Sequence, residues 1–311
     1  MDRSRPRVLY LGGTGRSGST LLARLLGRRA ACAPVGELRY VWERGFVENH
    51  LCECGEPFRA CPFWNAVVDD AFGGFTSIDI ATLRNDLRAV DRIRHIPELL
   101  AARWQTPAFR THLTDSAGAL EQLYAAITTV SGRSVVVDSS KDASYAFVLH
   151  ALGSLDLALV HLVRDSRAVA HSWTRRKIRP EIQARRELMM QRAPMSSALL
   201  WDAHNLLFEL FEQTDRRFVR VRYEDLVARP EHTVDTVAAL HGDAGENADA
   251  SANAGDWGHS ISGNPMRFTR GPLQVRLDDE WIGAMAARDR RLVTAATAPF
   301  LARYGYLTRT P

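Results

Sequence analysis

The stretch that decides the fold joins a short β-favouring run at residues 8–11, a glycine-rich loop, and a helical apolar pattern at residues 20–26. The loop is Gly12-Gly13-Thr14-Gly15-Arg16-Ser17-Gly18-Ser19. A strand, a glycine-rich loop and a helix in this order form a cradle where main-chain N–H groups and a helix N-terminus can hold a phosphate. The stretch therefore predicts an α/β protein with an anion site after its first strand.

The loop differs from that of a nucleoside-triphosphate enzyme in the position of its cation. The spacing from Gly13 to Gly18 matches a P-loop, but Ser19 stands where such an enzyme carries a lysine for the β- and γ-phosphates. The cation comes earlier, at Arg16. A single 5′-phosphate with a sulfuryl group needs one cation beside its bridging oxygen, so the loop predicts phosphosulfate binding. The alternative is a glycine-rich turn that holds no anion.

Three further strands are expected from short apolar runs, each followed by polar residues and a helical pattern, at residues 134–137, 157–163 and 218–221. Strands that alternate with helices predict an α/β fold with a doubly wound central parallel sheet, and we expect a single domain over residues 1–311.

Outside these strands the pattern predicts helical insertions at residues 80–130 and 179–211. The second insertion contains Met189, Met190 and Met195, which suit a core position, an apolar acceptor site or a lid. Residues 241–264 are rich in Gly, Ala, Asn and Asp and lack periodicity, which predicts a flexible loop.

A second anion site is expected after the run at residues 157–163, where Arg164 begins a polar segment that continues as a helix through Ser172. Open parallel sheets bind ligands at the carboxyl ends of their strands. Arg164 and Ser172 lie eight residues apart, about two helical turns, so both can face one phosphate. The alternative is that Arg164 pairs with Asp165 or another carboxylate.

The charge balance argues against a nucleic-acid partner. Forty basic residues stand against 36 acidic ones, for a net charge of +4 and a pI near 9.0, with no basic tail. An anionic small molecule fits this balance better. The apolar run at residues 8–11 is too short for a signal sequence or a membrane span, so we expect a cytoplasmic protein without a span.

Three of the four cysteines, Cys52, Cys54 and Cys61, lie close together in the sequence and follow His50. The spacing leaves three alternatives open: a zinc site, a local disulfide, or reduced thiols that only pack. Zinc sites usually offer a second pair of ligands, and the sequence shows none nearby. The fourth cysteine, Cys32, is expected in the core.

The loop Arg16-Ser17-Gly18-Ser19-Thr20, with Arg164 and Ser172, resembles the 5′-phosphosulfate loop and the 3′-phosphate motif of sulfotransferases that depend on 3′-phosphoadenosine-5′-phosphosulfate (PAPS). The segment that begins Tyr223-Glu224-Asp225-Leu226 is similar to that family's Tyr-Glu-x-Leu, whose tyrosine lies near the nucleotide. The motif spacing is most similar to tyrosylprotein sulfotransferases and their bacterial relatives, which implies a role in bacterial secondary metabolism.

The resemblance implies specific roles for further residues. Glu37 follows Arg16 by 21 residues within a Gly-Glu pair, which is where the branch carries its general base. Lys141 occupies the place of a lysine that stabilises the leaving group, the alternative being a salt bridge to Asp138 or Asp142. Arg267 and Arg270 match loosely a contact to the 3′-phosphate, since the family's Arg-Lys-Gly order is absent.

Together these roles imply direct in-line transfer of a sulfuryl group from PAPS to a hydroxyl group, with release of 3′-phosphoadenosine-5′-phosphate (PAP) and no metal required. The cysteine pattern and the lack of a membrane anchor depart from the tyrosylprotein branch, so a small-molecule, glycan or lipid acceptor is expected. Two rivals share the loop: a P-loop kinase and a non-catalytic nucleotide-binding protein. The sequence leaves open whether the chain forms a homo-oligomer.

Overall fold

The computed structural model describes residues 5–182, 187–215, 217–242 and 258–307. Five strands form one sheet in which every neighbouring pair is parallel, in the order β2-β3-β1-β4-β5. The strands are β1 (Arg7–Gly13), β2 (Cys32–Gly36), β3 (Val135–Lys141), β4 (Asp156–Val163) and β5 (Phe218–Arg222). The predicted central parallel sheet is confirmed, and β2 is a strand that the sequence analysis missed.

Helices cover both faces of this sheet, as a doubly wound fold requires. They are α1 (Ser19–Leu26), α2 (Pro62–Phe72), α3 (Ile80–Val90), α4 (Ile96–Leu100), α5 (Pro107–Ser131), α6 (Ala143–Leu152), α7 (Ser166–Thr174), α8 (Pro194–Glu212), α9 (Tyr223–Ala228), α10 (Pro230–Ala238), α11 (Trp281–Ala284), α12 (Ala287–Ala296) and α13 (Ala298–Arg303). Helices α3, α4 and α5 occupy the insertion expected at residues 80–130. Within the described ranges, no helix combines the length and apolar character needed to cross a bilayer.

The central strand β1 is buried on both faces because its apolar side chains alternate with the strand pleat. Val8 and Tyr10 join the core under α5, α6 and α8, whereas Leu9 and Leu11 join the core under α1 and α10. Cys32 is buried in this second core, as expected from the sequence.

The helix predicted over residues 179–211 is wrong in its first half. Helix α8 begins only at Pro194, and before it two stretches, residues 177–179 and 187–189, pair antiparallel. The Arg179 amide donates to the Glu187 carbonyl at 2.9 Å, and the Met189 amide donates to the Lys177 carbonyl at 2.7 Å. A proline at position 180 disfavours the helical conformation of the residue before it, whereas Pro194 suits the first turn of a helix.

The loop expected at residues 241–264 falls largely outside the described residues, which resume at 258. Its described end is ordered against the sheet, because Ile261 forms a parallel bridge with Gly36 at the end of β2. The Ile261 amide donates to the Val35 carbonyl and the Glu37 amide donates to the Ile261 carbonyl, both at 2.9 Å. This segment therefore extends the edge of the sheet beside β2.

The strand order reverses at β1, which lies between β3 and β4. Such a reversal opens a crevice outside the carboxyl ends of the strands, and ligands of open α/β sheets bind there. Each of the five strands delivers predicted site residues to this edge: the loop at residues 14–18 after β1, Glu37 after β2, Lys141 at the end of β3, Arg164 after β4 and Tyr223 after β5.

Candidate active site

The loop between β1 and α1 turns through two left-handed residues, Arg16 with φ of 76° and Gly18 with φ of 99°. A Cβ atom on Gly18 would lie 2.5 Å from the ring of Tyr223, so only glycine fits there. The buried Ser17 hydroxyl donates to the Thr14 carbonyl at 2.7 Å and holds the turn closed. Because α1 starts with Ser19 directly after this turn, the loop lies at the positive end of that helix dipole.

Arg16 carries a half-buried and incompletely paired cation. Its guanidinium lies over the Trp173 ring at 4.8 Å, and its Nη2 is 3.5 Å from the Met189 sulfur. Its Nη1 is buried without a hydrogen-bond partner among the described residues. Burial lowers the pKa of Arg16, and the negative charge of Glu37 offsets part of that effect. A buried donor without a partner is costly, and a bound anion would satisfy it.

Arg164 lies directly after β4, is 5% exposed, and connects the loop to the C-terminal part of the chain. Its Nη1 donates to the Arg16 carbonyl at 3.1 Å and its Nη2 to the Asp278 carbonyl at 2.8 Å. The guanidinium stacks on the Tyr223 ring at 4.5 Å. Its Nε is buried and has no hydrogen-bond partner among the described residues. Arg164 thus keeps at least its Nε–H group for a ligand.

Of the alternatives expected for Arg164, a pair with Asp165 or with another carboxylate, the structure shows the second. Asp165 pairs with Arg167 at 2.6 Å, whereas Arg164 pairs with Asp278 at 3.2 Å. Ser172 lies buried on α7, the helix that follows Arg164. The predicted strand, polar turn and helix are therefore all present.

Two further cations, Arg175 and Lys177, lie at this site, and the sequence analysis missed both. Burial first, and then repulsion from Arg16 and Arg175, lower the pKa of Lys177. Burial would raise the pKa of Asp278, but the positive charges of Arg164 and Arg175 outweigh that effect and lower it. Arg164, Arg175 and Lys177 therefore gather around the Asp278 carboxylate, and Arg16 lies close enough to repel Lys177. Arg175 also pairs with Glu280. Four cations in so small a region suit a polyanionic ligand. The signal in the sequence was the basic run from Arg175 to Lys177 after α7.

Glu37 lies at the end of β2 and is 7% exposed. The Lys141 ammonium pairs with one of its carboxylate oxygens, and Arg44 Nη1 lies 3.4 Å from the other. Lys141 also donates to the Ser139 carbonyl at 2.9 Å. The structure thus brings Glu37 and Lys141, which the sequence separates by 104 residues, into direct contact.

The alternative partners of Lys141, Asp138 and Asp142, have other contacts. Asp138 is fully buried and accepts hydrogen bonds from the Tyr124 hydroxyl at 2.6 Å and the Ser140 hydroxyl at 2.5 Å. Asp142 pairs with Arg39 at 2.5 Å. Burial raises the pKa of Asp138 to about 6, although both hydroxyls oppose the shift. Asp138 braces the strand end beside Glu37, since its carboxylate also accepts from the Leu38 amide at 3.4 Å.

Arg267 and Arg270 lie beside the segment that extends the sheet edge. Arg267 is 2% exposed and its Nη1 donates to the carbonyls of Ser262 at 2.8 Å and Ser260 at 3.2 Å. Arg270 donates to the Glu53 carbonyl at 2.9 Å. Through these hydrogen bonds to backbone carbonyls, both arginines stabilise the segment that extends the sheet edge. Their contact to a 3′-phosphate stays a prediction.

A cavity lined by described residues lies on the α1 side of the sheet edge and has a volume of about 580 Å³. Its wall includes Thr20, Gly36, Ser139, Ser262 and Arg267. Arg16 and Arg164 are not in this wall. The cavity and the cluster of cations therefore occupy neighbouring parts of the same sheet edge. The cation cluster is the better candidate for the ligand site, because buried donors are normally hydrogen-bonded and those of Arg16 and Arg164 are not.

The fold and this edge define an α/β protein with a glycine-rich loop and a cluster of cations at its topological switch point. The profile of the sulfotransferase family matches residues 8–242, the range that contains β1 to β5 and every cation of the cluster. The chain therefore belongs to the sulfotransferase family, a family of transferases.

Solved structures similar to this chain are also sulfotransferases. The sulfotransferase domain from the curacin biosynthetic pathway has 15% identity and a TM-score of 0.46 and covers all of both chains. Sulfotransferase STF1 from Mycobacterium tuberculosis has 16% identity and a TM-score of 0.44, over 96% of this chain and 78% of that one. STF9 from Mycobacterium avium has 12% identity and a TM-score of 0.40, over 97% and 69%. Curated proteins give no match.

Proposed function

We propose that the chain transfers a sulfuryl group from PAPS to a hydroxyl group of a small-molecule, glycan or lipid acceptor and releases PAP. The observation that carries the proposal is a pair of guanidinium groups at the switch point of the sheet, the half-buried Arg16 and the buried Arg164. Each keeps one N–H group without a partner among the described residues, and they are joined through the Arg16 carbonyl. Two spare buried donors suit a ligand with two anionic groups.

The donor would use the residues that the loop and the strand ends provide. Arg16 and the loop at Ser17, Gly18, Ser19 and Thr20 would hold the 5′-phosphosulfate at the start of α1. Arg164 with Ser172 would hold the 3′-phosphate. The Tyr223 ring, which packs against Gly18 and Arg164, would lie beside the nucleotide.

The transfer needs one base and a neutralised leaving group, and the contact between Glu37 and Lys141 supplies both. Glu37 would accept the hydroxyl proton as the acceptor oxygen forms its bond to sulfur. The bond between sulfur and the bridging oxygen breaks, and PAP takes that electron pair. Lys141 would leave Glu37 and, with Arg16, balance the charge that develops on the bridging oxygen. No covalent intermediate on the protein is required.

The acceptor would approach past the paired stretches at residues 177–179 and 187–189. Ile178, Leu188 and Met190 expose 44%, 45% and 61% of their surfaces there. The neighbouring Met189 touches Arg16. Exposed apolar side chains next to the sulfuryl-binding arginine favour an acceptor with an apolar body beside its hydroxyl group.

The other expectations stay predictions: one domain over residues 1–311, a cytoplasmic location, a metal-free reaction and a setting in bacterial secondary metabolism. A P-loop kinase remains the rival among enzymes, and Ser19 in the lysine position argues against it. A non-catalytic nucleotide-binding protein would keep the anion site without needing the pair of Glu37 and Lys141.

Labelled PAPS and a panel of hydroxyl compounds test the proposal. The wild-type chain is expected to move the label to at least one acceptor. Glu37→Gln, which keeps the shape of the side chain but not its basicity, should bind PAP as tightly as wild type and lose transfer by at least about 100-fold. Transfer by Glu37→Gln at the wild-type rate would remove the base from the mechanism. A wild-type chain that binds PAP and labels no acceptor in the panel would favour the binding protein.

A further inference from the structure

Three cysteines and one histidine from distant parts of the chain meet next to the active-site edge. Cys52, Cys54 and Cys61 lie between β2 and α2, and His259 belongs to the segment that extends the sheet edge. Their sulfur atoms and one His259 ring nitrogen all lie within 4.8 Å of one another. Cys52 and Cys61 are 0% exposed, and Cys54 and His259 are half-buried.

The distances within this group suit a tetrahedral metal site. The Cys54 and Cys61 sulfurs are 3.6 Å apart, and His259 Nδ1 lies 3.4 Å from the Cys61 sulfur and 3.8 Å from the Cys52 sulfur. Zinc bonds of about 2.3 Å to sulfur and about 2.0 Å to nitrogen place tetrahedral ligands about 3.8 Å apart for two sulfurs and about 3.6 Å for sulfur and nitrogen. Cys52, Cys54 and Cys61 form no disulfide, which would need a distance of about 2.05 Å between two sulfur atoms.

We propose that Cys52, Cys54, Cys61 and His259 bind one Zn²⁺ ion in a closed structural site. Four protein ligands fill a tetrahedral shell, so no position remains for a reacting water, and the site would stabilise the fold without taking part in sulfuryl transfer. Thiolate and imidazole ligands in this geometry select zinc over the hard cations Mg²⁺ and Ca²⁺.

The surroundings of His259 hold its ring in the orientation that the site needs. Its ring stacks on Phe63 with centroids 4.7 Å apart and an angle of 8° between the planes. The Trp64 indole N–H donates to the His259 carbonyl at 2.8 Å. Packing that fixes a ligand before the metal arrives is typical of built metal sites.

His50, the histidine nearest to the cysteines in sequence, takes another partner. Its Nε2 lies 3.1 Å from a carboxylate oxygen of Glu48. The fourth ligand therefore comes from 198 residues beyond Cys61. A single ion at this position would join the segment at residues 52–61 to the segment at residues 258–267, which no short zinc knuckle does.

A metal ion that joins these two segments would affect the active-site edge, because residues 258–267 lie beside Glu37. The Glu53 amide donates to the Ser260 carbonyl at 3.0 Å, and the next residue, Ile261, bonds to both sides of Gly36. We therefore expect zinc to fix the position of Glu37 indirectly. This consequence rests on the proposed function, whereas zinc binding itself does not.

Metal analysis of the full chain, purified under reducing conditions from zinc-supplemented culture, tests the site. We expect about one zinc per chain, and replacement by Co²⁺ should give the thiolate charge-transfer and intense visible absorption of tetrahedral cobalt. His259→Gln and Cys54→Ser should lose the metal. His50→Gln is the matched control and should keep it.

The wild-type readouts decide the matter even if a ligand variant does not fold. A wild-type chain that carries no zinc and gives no cobalt–thiolate absorption would overturn the proposal, as would a disulfide between Cys54 and Cys61 in the intact protein. Retention of zinc by His259→Gln together with its loss from His50→Gln would also overturn it. PAP binding, measured separately, reports on the proposed function, so the two can fail independently.

Discussion

Arg164 offers the sharpest test of how the donor is held. The product PAP carries a 3′-phosphate that adenosine 5′-monophosphate (AMP) lacks, so these two nucleotides differ only in the group assigned to Arg164. Replacement of Arg164 by alanine removes the spare Nε donor, the pair with Asp278 and the contact to the Arg16 carbonyl. We therefore expect Arg164→Ala to lower the affinity for PAP more than the affinity for AMP.

The magnitude follows from the two kinds of contact that are lost. A hydrogen bond to a charged group contributes about 1.5–3 kcal/mol, which predicts a loss of PAP affinity of about 10- to 150-fold. The contact to the Arg16 carbonyl has a neutral acceptor and contributes about 0.5–1.5 kcal/mol, which both nucleotides would lose through the loop. The ratio of PAP to AMP affinity should thus fall by at least about 10-fold.

Calorimetric titration of both nucleotides measures this ratio. Arg16→Ala should weaken PAP and AMP together and leave the ratio unchanged, because Arg16 is assigned to the 5′ side that both share. Arg110→Ala, an exposed arginine on α5, should change neither affinity. An equal loss of both nucleotides in Arg164→Ala would refute the assignment of Arg164 to the 3′-phosphate.

Three further perturbations test the site. Gly18→Ala should lower the free energy of unfolding by about 1–3 kcal/mol in urea titration, because its φ of 99° and the Tyr223 ring exclude a Cβ atom; unchanged stability would contradict this. Asp138 has a pKa raised by burial from 3.8 to about 6, so the unfolded chain releases this proton first as pH rises through that window. The free energy of unfolding of wild type should therefore fall by up to about 3 kcal/mol relative to that of Asp138→Asn between about pH 4 and about pH 6.5. Urea titrations across this range measure the difference between the two proteins, and a difference that does not change with pH would contradict the prediction. Lys177→Met should reduce both the affinity for PAP and its dependence on salt, measured by titration at two ionic strengths; an unaltered salt dependence would place Lys177 outside the anion site.

The framework of the fold follows from the sequence because its strands are short, apolar and buried on both faces. Strands β1, β3, β4 and β5 lie where apolar runs predict them. β2 was missed because Pro34 and Gly36 interrupt its five residues, and both normally indicate a turn. Its edge position explains why the sheet tolerates them, since an edge strand can lose one N–H donor.

The positions of candidate site residues at strand ends could be predicted from the sequence. The positions of residues in the long connections between elements could not. Arg16, Glu37, Lys141 and Arg164 all follow strands, so the parallel sheet brings them to one edge. Lys177 escaped because it lies between the helix expected through Ser172 and the helix predicted from residue 179, in a stretch to which no role was assigned. No local pattern shows which distant residue pairs with a strand edge, so contacts made by residues 258–267 needed the three-dimensional structure.

Calorimetric titration with PAP, beside a titration with ATP and magnesium, tests the central claim most directly. Arg16 and Arg164 each have one buried nitrogen without a hydrogen-bond partner among the described residues, which predicts tight binding of PAP without added metal and little binding of ATP with magnesium. Tight binding of ATP with magnesium and none of PAP would contradict the sulfotransferase site and make a phosphotransferase the better description.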